Sequence, residues 1–571
     1  MTQIRSSSDR SARTAGHSPT QHGTSQTKDS AATRRLARGG ALNFAGTLVG
    51  AVAGIGLVVL VTNTVTRELA GMLFAATSLF LVLGAIAMLG SDAGLAHAIQ
   101  RHLVAGRPDH ARATIGIALR AVVALSTVVA IVIWVCAPWA APLVADADPG
   151  AATGMLRVLA AALPVATAYD TLLIATLAYG TARPNVLIEK LGRLPGQVLL
   201  VLAVILLDTA FGGVGWFPHL GPVGLAIAWS APYLFGLVAV SMWCRRIALR
   251  AGRRPTGTDG TGQQRDRSVE PASTGPQGAE RARLARDFWA FSLPRALGKV
   301  CQVALQRLDI VLVAALLSPA HAAVYTAATR FLVLGQLATQ AMQQVLAPQL
   351  SGMFAREDLP GIRRIFATST AWLMSVTWPV YLASAATAPL WLRVFGKEYA
   401  SGHVTVLILA ATMLVVSAIG SVDVVLLMAG RSRQSLVNNA LALAVNIATL
   451  LLLVPRLGVT GAALAWSAAL LVRNVLPMVQ VHRSFGVVTH GAGVVWVAVS
   501  ASLCFGVLPL ALAAALSLSL SVVAASLVVA AVGYAWMLWS HREVLDLSAF
   551  KDAVPRLKWV RSTPRQTVAA D

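Results

Sequence analysis

Arg295, Lys299, Gln302, Gln306 and Asp309 step along the chain by 4, 3, 4 and 3 positions. At about 100° per residue, that spacing gathers all five within roughly 80° of one helix face. The next apolar stretch carries a second polar row, Thr329, Gln336, Gln340 and Gln343. Guanidinium and ammonium groups give charge-assisted hydrogen bonds to phosphate or carboxylate oxygens. Side-chain amides donate and accept at once, which suits a hydroxyl-rich molecule. The two rows could together seat something anionic at one point and rich in hydroxyls at another. Both lie in strongly apolar sequence, where unpaired polar groups are costly, so they are expected to line a wet interior. Hydrogen bonding between the two helices is the alternative.

The elements that hold these rows are membrane helices. Of 571 residues, 56% are apolar and 12% charged, with a mean hydropathy of +0.68. No water-soluble chain of this size buries that much apolar surface, so lipid must be the solvent for most of it. With roughly 20 apolar residues needed per crossing, about fourteen spans are expected. The net charge of +22 would suit a nucleic-acid binder, but its placement excludes one. Of 46 Lys and Arg residues, 33 fall in the tails and the loops on one side. Only Arg67, Arg393, Lys397 and Arg456 fall in loops on the other side. Basic loops stay in the cytoplasm, so both termini of this multi-pass protein are expected there.

The expected organisation is a disordered basic tail over 1–37, a lobe over 38–243, a disordered linker over 244–287 and a second lobe over 288–486. Two further spans over 487–541 and a cytoplasmic tail over 542–571 complete it. The linker holds ten arginines and is expected to lie near an anionic leaflet. Cys136, Cys244, Cys301 and Cys504 have neither metal nor redox spacing and read as small buried hydrophobes. Neither a metal nor a cofactor is called for.

Nine basic residues lie inside the expected spans, against four acids, Asp170, Glu189, Asp309 and Asp423. Arg120, Arg157 and Arg473 are near enough to span ends to snorkel. Glu189 and Arg193, four apart, should pair. Asp309 and Arg330 fall at similar depth on neighbouring antiparallel spans and are expected to pair, as a gate. Asp170, Asp423 and Asp309 are the candidates for ion coupling or gating, with structural pairing to a nearby Arg as the alternative. The outer loops are short, and the chain shows no nucleophile–base pair or phosphate-cradling Gly loop, so an enzyme is not expected.

The chain repeats itself. Leu220–Ala231 (LGPVGLAIAWSA) and Leu457–Ala468 (LGVTGAALAWSA) agree at eight of twelve positions, 237 residues apart. Ala70–Leu79 aligns with Ala322–Phe331, and Gly180-x-x-Arg183 with Gly430-x-x-Arg433. Each half then holds six helices in one orientation, related about an axis along the membrane normal. The fold class expected is an all-α polytopic membrane protein, two six-helix lobes plus two C-terminal helices.

Several motifs carry a resemblance over 38–486. Leu42-Asn43-x-x-Gly46 opens the first span, and Arg67-x-Leu69-Ala70-x-x-x-Phe74-Ala75 follows it. Val324-Tyr325-x-x-Ala328-x-Arg330, Leu346-Ala347-Pro348-x-Leu350-Ser351 and Pro455-x-x-Gly458-x-x-Gly461-Ala462-Ala463-x-Ala465 belong to the second lobe. As a set they resemble the polysaccharide flippases, in the superfamily that also holds multidrug exporters and the lipid II flippase. The resemblance implies a V-shaped, two-lobed carrier, a monomer in the bilayer that flips a polyprenyl-diphosphate-linked glycan by alternating access. Glycosyltransferases or a polymerase of the same pathway would be its protein partners. The substrate contacts expected are Arg295, Lys299, Gln302, Gln306, Arg330, Gln336, Gln340 and Asn43. A cation-coupled drug exporter and a lipid II flippase are the alternatives. The first is disfavoured because 41–63 contains no acid, where drug exporters commonly place one.

Overall fold

The computed structural model describes residues 23–144, 148–211, 221–252, 278–487, 491–516 and 520–543, and all regular structure among them is helical. Helix α1 (Gly23–Thr64) begins well before the expected span. Residues 23–37, expected to be disordered, are therefore helical, and 1–22 lie outside the described residues. After α2 (Arg67–Ala87), Gly90 turns the chain at φ 70° into α3 (Ser91–Val104), where sequence reading expects a loop. Next come α4 (Pro108–Val144) and α5 (Pro149–Ala178), then a π-helical run over Asn185–Arg193 that leads into α6 (Leu194–Phe211). Helix α7 (Gly221–Gly252) ends the first half.

The second half opens on α8 (Gly278–Leu316), a helix of 39 residues. Residues 244–252 and 278–287, assigned above to a disordered linker, are thus helical, and 253–277 lie outside the described residues. Helices α9 (Pro319–Ala328) and α10 (Leu332–Ala355) are one interrupted span. Helix α11 (Leu359–Ala386) is followed by the single turn α12 (Ala388–Trp391) and 3-10 turns reaching Gly402. Helices α13 (His403–Ile419) and α14 (Val422–Met428) form another broken span. The long α15 (Ser432–Phe485) folds back at Gly458. Then α16 (Ala492–Ala501), α17 (Leu508–Leu516) and α18 (Leu520–Ser540) close the described chain. Among the described residues ten helices are long and apolar enough to cross a membrane, so this is a multi-pass membrane protein. Helix α8 is not among them, because its polar row lowers its hydropathy.

The repeat is visible in the backbone. Helices α2 and α9 start 252 residues apart, the offset that aligns Ala70 with Ala322. Gly221 and Gly458, which open the two copies of the strongest match, both take positive φ, 36° and 60°. That conformation strains any residue with a Cβ and lets each chain turn tightly into its helix. Trp229 and Trp466 are each 7% exposed, so the shared Trp is a packing residue in both copies.

The halves meet along α2, which lies against α8 and α9. At Gly71 a Cβ would overlap the Pro319 carbonyl, so the two helix starts touch backbone to backbone. Here the Asn63 amide donates to the Val394 carbonyl (2.7 Å) and Arg67 pairs with Glu398 (2.7 Å). At the other end of the seam, where α7 stops and α8 begins, a Cβ on Gly94 would strike Ser292 and Phe288. His97 stacks on Phe291 (4.2 Å) and His110 meets Glu280 (3.1 Å). Contacts therefore close the seam at both ends.

Candidate functional site

Helix α8 is a wall with open space on two adjacent faces. One face borders a cavity of about 760 Å³ among α8, α10, α11, α13, α14 and α15. Of the expected contacts, Arg295, Gln302, Gln306, Gln336 and Gln340 line it, as does the gating candidate Asp423. The other face borders a crevice of about 350 Å³ against the first half, where Lys299 and Arg307 meet Asp92, Asp170 and Tyr233. Gln306 lines both spaces. The single crevice expected from the row at 295–309 is thus two compartments.

Breaks in the helices shape the larger cavity. Between α9 and α10 the amides of Arg330, Leu332 and Val333 bond three residues back, a tight 3-10 turn. Gly420, at φ 79°, separates α13 from α14 and puts Asp423 in the first turn after it. Gly420 and Ser421 both line the cavity. Irregular backbone is tolerated at membrane depth where it faces protein or water, and here it does. Asp423 Oδ1 accepts from Ser435 (2.6 Å), and Arg295 lies over the Phe291 ring at 3.6 Å while donating to the Phe291 carbonyl.

Two expected contacts, Arg330 and Asn43, and the gating candidate Asp309 lie elsewhere. The Asp309–Arg330 pair is not formed. Tyr325 donates to Asp309 Oδ2 at 2.7 Å, and the Ile310 amide to Oδ1 at 2.9 Å. The 3-10 turn sends Arg330 back along its own helix, where Nε donates to the Thr326 carbonyl (2.9 Å). Neither residue lines either cavity. Asn43 faces the π-helical run instead, and its Oδ1 accepts from Lys190 at 2.9 Å, with Thr47 as a further acceptor of that ammonium.

Glu189 and Arg193 do pair, on the π-helical run. Arg193 Nε donates to Glu189 Oε2 (2.6 Å), Tyr169 donates to the same oxygen (2.8 Å), and Arg193 reaches the Tyr233 hydroxyl (3.2 Å). The Arg193 guanidinium also lies over the Tyr233 ring at 4.7 Å. Asp170, beside Tyr169 on α5, faces the crevice and is in no salt bridge among the described residues.

Other lining residues were not anticipated. Arg473 was expected to snorkel. The second limb of α15 runs on to Phe485, twelve residues beyond it, about 18 Å at 1.5 Å per residue, and Arg473 lines the larger cavity. Tyr381, Asn439, Trp466 and Asn474 line it too. Ser432, Ser435 and Asn439, spaced by 3 and 4, were a signal that could have marked this wall.

Residues 273–402 match the family model described as "Polysaccharide biosynthesis protein". No curated protein matches the sequence. Among solved structures, the lipid II flippase MurJ in an inward closed conformation is similar with a TM-score of 0.61 at 9% identity, over 90% of this chain and 99% of that one. An inward-facing multidrug resistance MATE family transporter of the MOP superfamily gives 0.55 at 15%, over 77% and 94%. A mutant of the Vibrio cholerae MATE transporter VcmN gives 0.51 at 16%, over 79% and 98%. The chain therefore has the fold seen in MurJ and in the MATE transporters, and the family match is confined to residues 273–402.

Proposed function

We propose that this protein flips a polyprenyl-diphosphate-linked oligosaccharide across a bacterial cytoplasmic membrane, with both termini in the cytoplasm. Two lobes, 38–243 and 288–486, rock about the seam between α2 and α8–α9. Residues 487–541 stand outside the repeat. The polyprenyl tail stays in lipid while the diphosphate and sugars cross through the interior. One observation carries the reading: the two faces of α8 put a deep ammonium, a guanidinium and a row of amides against water-sized space inside an apolar bundle. Moving a diphosphate through hydrocarbon without cations is prohibitive, and Lys299 and Arg307 supply them. Asp170 faces the same cations across the crevice. An anion entering there displaces it as their counter-charge, which makes Asp170 the candidate for coupling to an ion or proton. The family match over 273–402, which contains α8 and α9, and the name of the structural neighbour MurJ, a lipid II flippase, point the same way.

The test uses full-length protein in vesicles loaded with a tagged lipid-linked oligosaccharide. Transbilayer movement should exceed that of protein-free vesicles and leave the glycan covalently unchanged. Lys299→Gln should slow it about tenfold, the loss of roughly 1.4 kcal/mol of binding. Movement no faster than in empty vesicles, together with proton-linked exchange of a cationic drug, would give the protein to the exporter reading.

A further inference from the structure

The two compartments beside α8 differ in chemistry, and this difference carries an inference about how the headgroup is divided. It rests on the function proposed above. In the crevice the polar groups are chiefly ionic, Lys299 and Arg307 facing Asp92 and Asp170. In the larger cavity five glutamines, Gln302, Gln306, Gln336, Gln340 and Gln343, are joined by Asn439 and Asn474. The buried rings of Tyr381 and Trp466 pack behind them. Planar amides that donate and accept are the groups that bind the hydroxyl-bearing edge of a sugar. Arg295, Arg433 and Arg473 with Asp423 also line this cavity, so what sets it apart from the crevice is its amide row and not a lack of charge.

This wall also holds polar atoms without partners. Tyr381 Oη, Ser421 Oγ and Asn439 Oδ1 are buried without a hydrogen bond, and all three residues line the larger cavity. Buried groups of this kind are rare and call for an explanation. A hydroxyl-rich occupant that repacks the wall would satisfy them. The cavity, at about 760 Å³, falls within the range of roughly 300–1,000 Å³ found for small-ligand sites, room for a few sugar rings and not for a polymer.

We infer that the larger cavity is a saccharide chamber inside the second half, separate from the diphosphate seat in the crevice, and that α8 is the partition between them. The geometry of α8 fits the covalent structure of such a headgroup. Lys299 and Gln302 are three residues apart, about 4.5 Å along the axis, and the first sugar is bonded directly to the diphosphate. Gln306, which lines both spaces, stands at the junction.

The experiment is titration calorimetry on the full-length protein in detergent with two water-soluble probes. One is a short-chain prenyl diphosphate, the other the same diphosphate carrying a disaccharide. The wild type should bind the disaccharide compound at least tenfold more tightly. In Gln336→Leu/Gln340→Leu that advantage should vanish while the sugarless Kd stays within twofold. Gln302→Leu, a single change on the facing helix, should reduce it in part and serves if the double variant does not fold. Lys299→Gln should weaken both compounds by the same factor. Equal wild-type affinity for both probes overturns the chamber and leaves the proposed transport standing. So does a double variant that loses both compounds alike. Failure of the wild type to bind either compound overturns both readings.

Discussion

On the π-helical run of the first half, the deep charged side chains have partners built into the chain. Glu189 takes hydrogen bonds from Arg193 and Tyr169, Arg193 also reaches Tyr233, and Lys190 is held by Asn43 and Thr47. In the second half, Asp423 accepts from Ser435, no salt bridge joins it to Arg473, and both face open space. The same price in desolvation yields a fastened bundle in one place and a receptive wall in the other. Polar residues at membrane depth are therefore not one class. What separates them is whether their partners are built into the chain.

The largest effect that tests this contrast is expected at Glu189. Glu189→Ala strands Arg193, whose side chain is 12% exposed, without its counter-charge. Breaking a buried pair in this way costs about 3–5 kcal/mol. Thermal unfolding in detergent should shift sharply downward. Asp423→Asn keeps the shape and leaves no buried ion stranded against it, so its cost should stay below about 1 kcal/mol. Equal losses in the two variants would erase the contrast.

A second, smaller effect is expected at the seam. Gly94→Val puts methyl groups where Ser292 and Phe288 already stand. Overpacking of this kind costs about 1–3 kcal/mol, and the halves can relieve it by parting at the end where α8 begins. Spin labels on α3 and α8 should report a longer distance there. An unchanged distance with an unchanged unfolding temperature would mean that this contact does not hold the seam. Smaller still is the Arg67–Glu398 pair at the opposite end, with side chains 40% and 66% exposed. Arg67→Ala should cost no more than about 1 kcal/mol, read as a small shift in unfolding temperature that disappears in high salt.

Much of this was legible in the chain. Apolar length marks the helices, and the internal match from Leu220 and Leu457 located two glycines of positive φ. The 4, 3, 4, 3 spacing located the polar side of α8. Periodicity, however, measures the width of a face and not how many compartments border it, so Lys299 and Gln302 were assigned to one space. Helix α3 was missed because its sequence is too short and too polar to read as a span. The Asp309–Arg330 pairing failed because matched depth does not exclude a nearer donor, and Tyr325 is nearer. The Lys190–Asn43 contact joins positions 147 apart, and such a contact leaves no periodic trace in a single sequence.

The smallest expected effect is one of pH, and it sharpens the account of the seam. His102 on α3 is 7% exposed, and its pKa lies below the ordinary histidine value, chiefly because burial disfavours the charged form and further because Arg101, His110 and Arg107 are near. A histidine with a depressed folded-state pKa binds its proton more readily in the unfolded chain. Its contribution is therefore unpenalised above the ordinary value near 6.5 and is lost as pH falls below it. Unfolding temperature should drop on going from neutral to acidic pH, and His102→Gln should flatten that slope. His110, whose ring lies 5.6 Å from that of His102, meets Glu280 through Nε2, a contact that His102→Gln leaves in place. If the slope is the same in the two proteins, the acid sensitivity does not belong to the packing of α3.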